Sequence, residues 1–172
     1  GLCPLHPQTC GKDAPPRGGA AFLEGLGKRL TTLHPQAAFA SVIGRFFAMD
    51  RDEKWDRIEK AYALLTQGKA ERTTSVYAHL VEAYTKGTDD EFIEPAMVET
   101  RGSVPVIQEH DAVIFLNFRE DSMRELVHAF VDDDFHAFLF RAYDIEIDPP
   151  SSWSQLLVDK GKESFESFSA LI

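Results

Sequence analysis

The sequence predicts an α/β domain, a three-layer sandwich with a mostly parallel sheet and helices on both faces. Apolar runs of strand length occur at residues 37–43, 112–118 and 137–143, and stretches with helical periodicity lie between them. Nearly continuous apolar runs are typical of strands that helices cover on both faces. A chain of 172 residues, 44% of them hydrophobic, is long enough to bury one sizeable core.

Helices are predicted where apolar residues recur at helical spacing and where end signals flank them. Trp55 and Ile58 begin one such stripe, and Gly87 is a suitable residue to follow the end of another helix. Ser122 and Glu125 have the spacing of a capping box. The predicted helices cover residues 20–33, 53–67, 74–86, 122–131 and 153–160.

The beginning of the chain and one connection are less regular. Residues 1–9 stand where a first strand is expected, but Pro4 and Pro7 lack an N–H donor, which confines such a strand to an edge. Residues 99–111 predict a loop and a short edge strand. We expect one domain over residues 1–150, followed at 151–172 by a C-terminal helical extension or the start of a partner domain.

Composition excludes several classes of protein. The net charge of −10 argues against non-specific nucleic-acid binding, and no apolar run approaches the roughly 20 residues of a membrane span. If extended, the segment between Cys3 and Cys10 spans about 23 Å, too far for a disulfide, so we expect a reducing, cytoplasmic protein. Residues 1–72 hold 11 basic against 8 acidic residues, whereas residues 73–172 hold 7 against 20. A site for an anion is therefore expected in the first part of the chain.

The strongest local signal follows the strand predicted at 37–43. Arg45 and Arg51 come directly after it, at the end of a strand where α/β sheets bind ligands. Two guanidinium groups can hold a carboxylate or a phosphate bidentately. Spacing equally allows an alternative, in which Asp50 or Asp52 caps the next helix and both arginines pair with neighbouring acids.

Two further segments have the same placement. Arg119 follows the run at 112–118, and Lys12 and Asp13 follow the strand-like residues 1–9. Lys12 would supply a cation, and the Asp13 carboxylate could accept a proton from a substrate hydroxyl. Strand-end cations on separate strands are expected to converge on one small anion.

Long motifs of the chain resemble those of the cofactor-independent (2,3-bisphosphoglycerate-independent) phosphoglycerate mutases. Residues 41–62, SVIGRFFAMDRDEKWDRIEKAY, are similar to the family's GRYYAMDRD followed by WDR and EKAY. Residues 88–93, TDDEFI, with Pro95, resemble TDEFI and its proline. Residues 111–119, DAVIFLNFR, resemble DAVIFFNFR, and residues 9–16, TCGKDAPP, resemble TDGRDTPP.

The resemblance implies one domain of a two-domain glycolytic isomerase that interconverts 3-phosphoglycerate and 2-phosphoglycerate. In that family, a phosphatase-like domain carries two Mn²⁺ ions and a serine nucleophile, and the other domain grips the substrate. This chain resembles the substrate-gripping domain. Arg45 and Arg51 would then bind carboxylate or phosphate oxygens, Arg119 and Lys12 would add cations, and Asp13 would be the catalytic residue that handles a hydroxyl proton.

The chain departs from the family pattern in ways that leave its role open. Lys12, Cys10 and Ser122 stand where the family has Arg, Asp and Arg, and the family's GSDGGVHSH segment is missing. Nothing matches the serine nucleophile or the metal ligands, so we expect no metal or cofactor in this chain and no mutase activity from it alone.

Three hypotheses follow. The first is a substrate-binding domain that binds 2- or 3-phosphoglycerate and works with a phosphatase-like domain. The second is a pseudoenzyme, a non-catalytic mutase-derived subunit that binds another protein in a larger assembly. The third is a general binder of phosphate esters.

Overall fold

The computed structural model describes residues 3–99, 104–132 and 135, and these alternate between strands and helices. Short 3-10 turns at Asp90–Phe92 and Glu120–Ser122 lie within two of the connections. The strands are β1 (Cys3–Leu5), β2 (Gln8–Thr9), β3 (Ala37–Phe39), β4 (Ser41–Gly44), β5 (Glu71–Thr73) and β6 (Ala96–Val98). The helices are α1 (Gly19–Leu33), α2 (Arg45–Ala48), α3 (Trp55–Gln67), α4 (Val76–Thr85) and α5 (Arg124–Val131).

The described strands form a four-stranded sheet in the order β2-β4-β6-β5 and a separate pair, β1 with β3. The pairs β1–β3, β2–β4 and β5–β6 are parallel, whereas β4–β6 is antiparallel. Thr9 pairs with Gly44, so the carboxyl ends of β2 and β4 lie side by side. The predicted α/β class is confirmed.

Alternate residues of the central strands pack into two different apolar clusters. Ile43 and Met97 join a cluster with residues of α3 and α5. Val42 and Ala96 join another with residues of α1 and α4. Because neighbouring strand residues point to opposite faces, helices contact both faces of this sheet. A complete three-layer sandwich over the whole chain stays a prediction.

The apolar run at 37–43 forms two strands, β3 and β4, which are separated by Ala40. The Ala40 N–H donates to the carbonyl of Leu5 (2.8 Å), and its carbonyl accepts from the Val98 N–H (2.8 Å). At this residue the chain therefore changes partners, from β1 on one side to β6 on the other. Pro4 lies in β1, which pairs only with β3 within the described part of the chain, as expected for an edge strand.

The prediction of a strand at 112–118 is wrong for the described residues. These residues form no strand pairing with any described residue, and Ile114 is 74% exposed and Leu116 86% exposed. Only Val113 and Phe115 are partly buried, and the Phe115 ring lies 5.6 Å from that of Phe130. The physical reason is that an apolar sequence becomes a central strand only when strands flank it. The described residues of 99–111 contain no strand either.

Helices α1, α3 and α4 confirm three predicted helices, and α4 is followed by Gly87 at φ 86°. The helix predicted at 122–131 begins later, at Arg124, and the capping box is wrong. The Glu125 carboxylate instead accepts a hydrogen bond from the Glu53 N–H (3.0 Å), which is a tertiary contact. The predictions for 137–143 and 153–160 lie outside the described residues.

Candidate anion-binding site

The loop after β2 carries Lys12 and Asp13 and is held against the 3-10 turn at residues 90–92. The Thr9 hydroxyl donates to the Asp90 carbonyl (2.7 Å). Gly11 has φ 64°, and a Cβ there would lie 3.0 Å from the Asp90 Cβ, so glycine suits both the backbone and the space. Lys12 Nζ lies 3.1 Å from Glu91 Oε1, and the Asp13 side chain is exposed.

Arg45 leaves the end of β4 beside this loop. The preceding Gly44 donates its N–H to the Ile93 carbonyl (2.8 Å), and a Cβ on Gly44 would lie 2.4 Å from the Glu91 carbonyl oxygen. Only glycine permits this close approach, which fixes where Arg45 emerges. Arg45 is half-buried, and its Nη1 donates to Cys10 Sγ at 3.3 Å.

The environment of Cys10 is cationic. Burial alone would raise the pKa of the thiol. Hydrogen bonds from the Lys12 N–H, the Arg45 guanidinium and the Asp13 N–H outweigh burial and lower that pKa. The loop at 10–13 therefore presents hydrogen-bond donors toward the same point as Arg45.

Arg51 and Arg119 meet at a single carboxylate, that of Asp121. Arg51 Nη1 and Arg119 Nη2 both lie 2.9 Å from Asp121 Oδ2, and Arg119 Nε lies 3.2 Å from Oδ1. The hydrogen bonds from Arg119 and Arg51 lower the pKa of Asp121 to about 2. Asn117 also contacts the residue that follows α2, since its Nδ2 lies 3.6 Å from Met49 Sδ. Residues far apart in sequence are thus brought to one place.

A buried carboxylate shapes the loop that carries Arg51. Asp50 Oδ2 accepts from the N–H groups of Asp52 (3.0 Å) and Lys54 (2.9 Å), and Asp50 Oδ1 lies 2.8 Å from Arg57 Nη1. Burial alone would raise the pKa of Asp50, but these hydrogen bonds and the Arg57 charge lower it. Asp50 therefore organises the loop but does not cap α3, whose N-cap residue is Lys54 and has no side-chain cap hydrogen bond. Of the two arginines that the alternative pairs with neighbouring acids, Arg51 pairs with the distant Asp121 and Arg45 contacts the Cys10 thiol.

Asp90 anchors the segment between β2 and α1. Its Oδ2 accepts from the Gly19 N–H (2.8 Å), and its Oδ1 accepts from the Tyr84 hydroxyl. Burial, together with the Asp90 carboxylate, raises the pKa of Tyr84 to about 12. A Cβ on Gly19 would lie 2.7 Å from Asp90 Oδ1, so this helix start also requires a residue without a side chain.

The sequence-predicted residues therefore fall into two groups. Lys12 and Asp13 lie beside Arg45 because β2 and β4 are parallel neighbours. Arg51 and Arg119 lie together through Asp121. The groups are in electrostatic reach of each other, since Asp121 chiefly, and Asp13 to a small extent, raise the pKa of Arg119.

Sequence reasoning missed three acidic residues of this region, Glu91, Asp121 and Glu125. Glu91 and Asp121 lie within or beside the family-like motifs, which is the only signal that could have singled them out. Glu125 was assigned to a helix cap instead. Within residues 3–99, 104–132 and 135, no cluster of His, Cys, Asp or Glu side chains could hold a metal ion. The same described part has no helix long and apolar enough to cross a membrane.

The fold and the site together define an α/β domain in which cationic side chains lie near the adjoining carboxyl ends of β2 and β4. The family model described as the BPG-independent PGAM N-terminus matches residues 3–157. The chain belongs to this family, the N-terminal part of the BPG-independent phosphoglycerate mutases, which confirms the resemblance of the motifs.

Individual relatives agree with this assignment. The 2,3-bisphosphoglycerate-independent phosphoglycerate mutase of Acinetobacter baylyi is 42% identical over 135 residues, which is 78% of this chain and 26% of that protein. The enzyme of the same name from Aeromonas salmonicida is 44% identical over 135 residues, with the same two shares. The chain therefore spans about a quarter of the length of these relatives.

A solved structure is similar as well. The chain resembles Leishmania mexicana phosphoglycerate mutase, crystallised at low cobalt concentration, with a TM-score of 0.70 and 29% sequence identity. The similarity covers 77% of this chain and 26% of that one.

Proposed function

We propose that this chain is the substrate-binding domain of a BPG-independent phosphoglycerate mutase, which grips 2- or 3-phosphoglycerate during intramolecular phosphoryl transfer in glycolysis. The observation that carries the proposal is the convergence of Arg51 and Arg119 on one carboxylate, beside the Arg45 and Lys12 group. Two guanidinium groups that already bind a carboxylate have the geometry for a carboxylate or phosphate of a ligand.

Each anionic end of the phosphoglycerate has its own pair of cations. Arg51 and Arg119 bind one end, and Arg45 and Lys12 bind the other. Asp13 is the catalytic residue that accepts a proton from the substrate hydroxyl, and its exposed side chain forms no ion pair within the described part of the chain. Holding both ends of a small substrate supplies the orientation that phosphoryl transfer requires.

The phosphoryl chemistry belongs to a partner, a phosphatase-like domain of the same enzyme. Membership in the family supports this division, since the chain spans about a quarter of its relatives' length. Two Mn²⁺ ions bound in that domain would stabilise phosphoryl charge and activate the serine nucleophile. This chain supplies substrate binding over residues 1–150, in the cytoplasm, and residues 151–172 are a C-terminal helical extension or the start of the partner domain.

Calorimetric titration of the 172-residue chain with 3-phosphoglycerate and 2-phosphoglycerate tests the proposal. We expect binding that weakens at least about tenfold when Arg51 or Arg45 is replaced by Ala, because a charged hydrogen bond contributes about 1.5–3 kcal/mol. Arg29→Ala, which removes an exposed arginine of α1, is the matched control and should leave the affinity unchanged. Absence of heat with both ligands would reject the proposal.

A second candidate function is that of a non-catalytic subunit that binds another protein. It is favoured by Ile114, Leu116 and Phe118, which expose a row of apolar side chains on a segment without a described strand partner. Light scattering coupled to size-exclusion chromatography tests this alternative. A monodisperse, stable monomer that needs no partner would count against it.

The third candidate, a general binder of phosphate esters, differs only in specificity. A thermal-shift panel of sugar phosphates, nucleotides and phosphoglycerates separates it from the first. Equal stabilisation by unrelated esters would favour the general binder.

A further inference from the structure

Asp121 lies between two arginines that come from different parts of the chain. It belongs to the 3-10 turn Glu120–Ser122, whereas Arg51 lies in the loop between α2 and α3. Its Oδ2 is 2.9 Å from a guanidinium nitrogen of each arginine, and its Oδ1 is 3.2 Å from Arg119 Nε. Both carboxylate oxygens are therefore engaged, as those of a bound carboxylate would be.

This arrangement differs from the other cations of the site. Arg45 donates to the Cys10 thiol, and Lys12 pairs with Glu91 as a single point charge. Among the cations that the structure describes, only Arg51 and Arg119 share one carboxylate, and their side chains are 38% and 62% exposed. An anion from solution that binds these two guanidinium groups has to displace the Asp121 carboxylate or share them with it.

We propose that Asp121 is an intramolecular competitor at the anion site, which sets how strongly a ligand must bind Arg51 and Arg119 before it is accepted. The inference rests on the proposed function, because it assigns an affinity threshold to the same site. Acetate, a weakly bound monoanion, displaces the tethered carboxylate only at high concentration. A dianionic phosphate group binds two guanidinium groups more strongly and displaces it at lower concentration.

Asp121→Asn tests the proposal by removing the competing charge while keeping the size of the side chain. We expect 3-phosphoglycerate to bind about threefold more tightly at low salt, since exposed ion pairs of this kind are weak and are screened by salt. Acetate should gain by the same factor, because displacement of the Asp121 carboxylate costs each ligand the same free energy. A merely structural role for Asp121 predicts the opposite sign, because arginines that lose their positioning partner bind the ligand less well.

Asp89→Asn is the matched control. Asp89 forms an exposed ion pair with Arg17 at 2.7 Å, and neither residue belongs to the site. The control should leave affinity and selectivity unchanged. Adding Arg51→Ala to Asp121→Asn should abolish the gain, and circular dichroism of each variant establishes that it is folded.

The outcomes separate this inference from the proposed function. One outcome is that Asp121→Asn binds inorganic phosphate more tightly while neither the natural chain nor the variant binds phosphoglycerate. This result would support the role of Asp121 as a competitor and reject the mutase function. If Asp121→Asn binds anions equally or less tightly than the natural chain, Asp121 is not a competitor, even where phosphoglycerate binds the natural chain. Absence of binding of every anion to both proteins overturns both proposals.

Discussion

Strand β4 and the segment 112–118 are each followed by an arginine, Arg45 and Arg119, yet they differ in burial. Ile43 of β4 is 3% exposed and lies between β2 and β6, whereas Ile114 is 74% exposed. The run 37–43, which contains most of β4, and the segment 112–118 are equally apolar, since each has a single polar residue, Ser41 and Asn117. The difference teaches that neighbours on both edges, rather than apolarity, make a run of residues into a central strand.

Gly44→Ala should have the largest effect, because it acts where β4 is most closely packed. The added Cβ would lie 2.4 Å from the Glu91 carbonyl oxygen and 2.6 Å from the Ile93 nitrogen, so backbone must move. We expect a loss of about 3 kcal/mol in the free energy of unfolding, measured with urea.

Gly25→Ala in α1 is its control, since a Cβ there meets nothing within 4 Å. That change should stabilise the helix by about 0.5–1 kcal/mol. A comparable loss for both variants would mean that close packing at β4 is not the cause.

Ile43→Ala and Ile114→Ala compare the two regions with the same substitution. We expect Ile43→Ala to cost about 2 kcal/mol, because it leaves a cavity in the cluster with α3 and α5. Ile114→Ala should change the free energy of unfolding by under about 0.5 kcal/mol. Similar losses in urea titrations of the two variants would show that Ile114 is covered, and the contrast between the regions would fail.

Glu125→Gln should have a smaller effect than Ile43→Ala, and it tests how the chain after 112–118 is anchored. Burial, and then the nearby Asp50 charge, raise the pKa of Glu125, although the Glu53 N–H opposes this. A group whose pKa is raised on folding contributes most stability when protonated, and that contribution is lost as the pH rises through the folded pKa. Neutral Gln avoids the loss, so the variant should melt a few degrees higher at pH 7.

The advantage of Glu125→Gln should shrink as the pH is lowered toward 4, where glutamate itself takes up a proton. Asp50 behaves in the opposite sense, because its lowered pKa stabilises the fold at neutral pH and that stability is lost in acid. Melting temperatures of the natural chain and of Glu125→Gln, measured between pH 4 and pH 8, show how this advantage changes. A difference in melting temperature that does not depend on pH would show that the Glu125 charge is not responsible.

Much of the fold was predictable because its signals are local. The periodicity of α3, the glycine after α4 and Pro4 of the edge strand β1 are signals that depend on residues close in sequence. The proximity of Lys12 and Arg45 was also predictable, since parallel strands bring their carboxyl ends to one edge.

The incorrect predictions share a cause. Ser122 and Glu125 fit a capping box by spacing, but Glu125 bonds to Glu53, 72 residues earlier. The pairing of Arg51 with Asp121 spans 70 residues and has no local signal. Both are tertiary contacts, which sequence spacing does not encode.

The family, the α/β class and the cationic side chains of the candidate site were predictable from the residues alone, because they depend on residue identity and periodicity. Which strands are covered, and which side chain each cation contacts, became clear only in the folded structure. Burial and ion pairing depend on what lies within a few ångströms in space, and that neighbourhood exists only after the chain has folded.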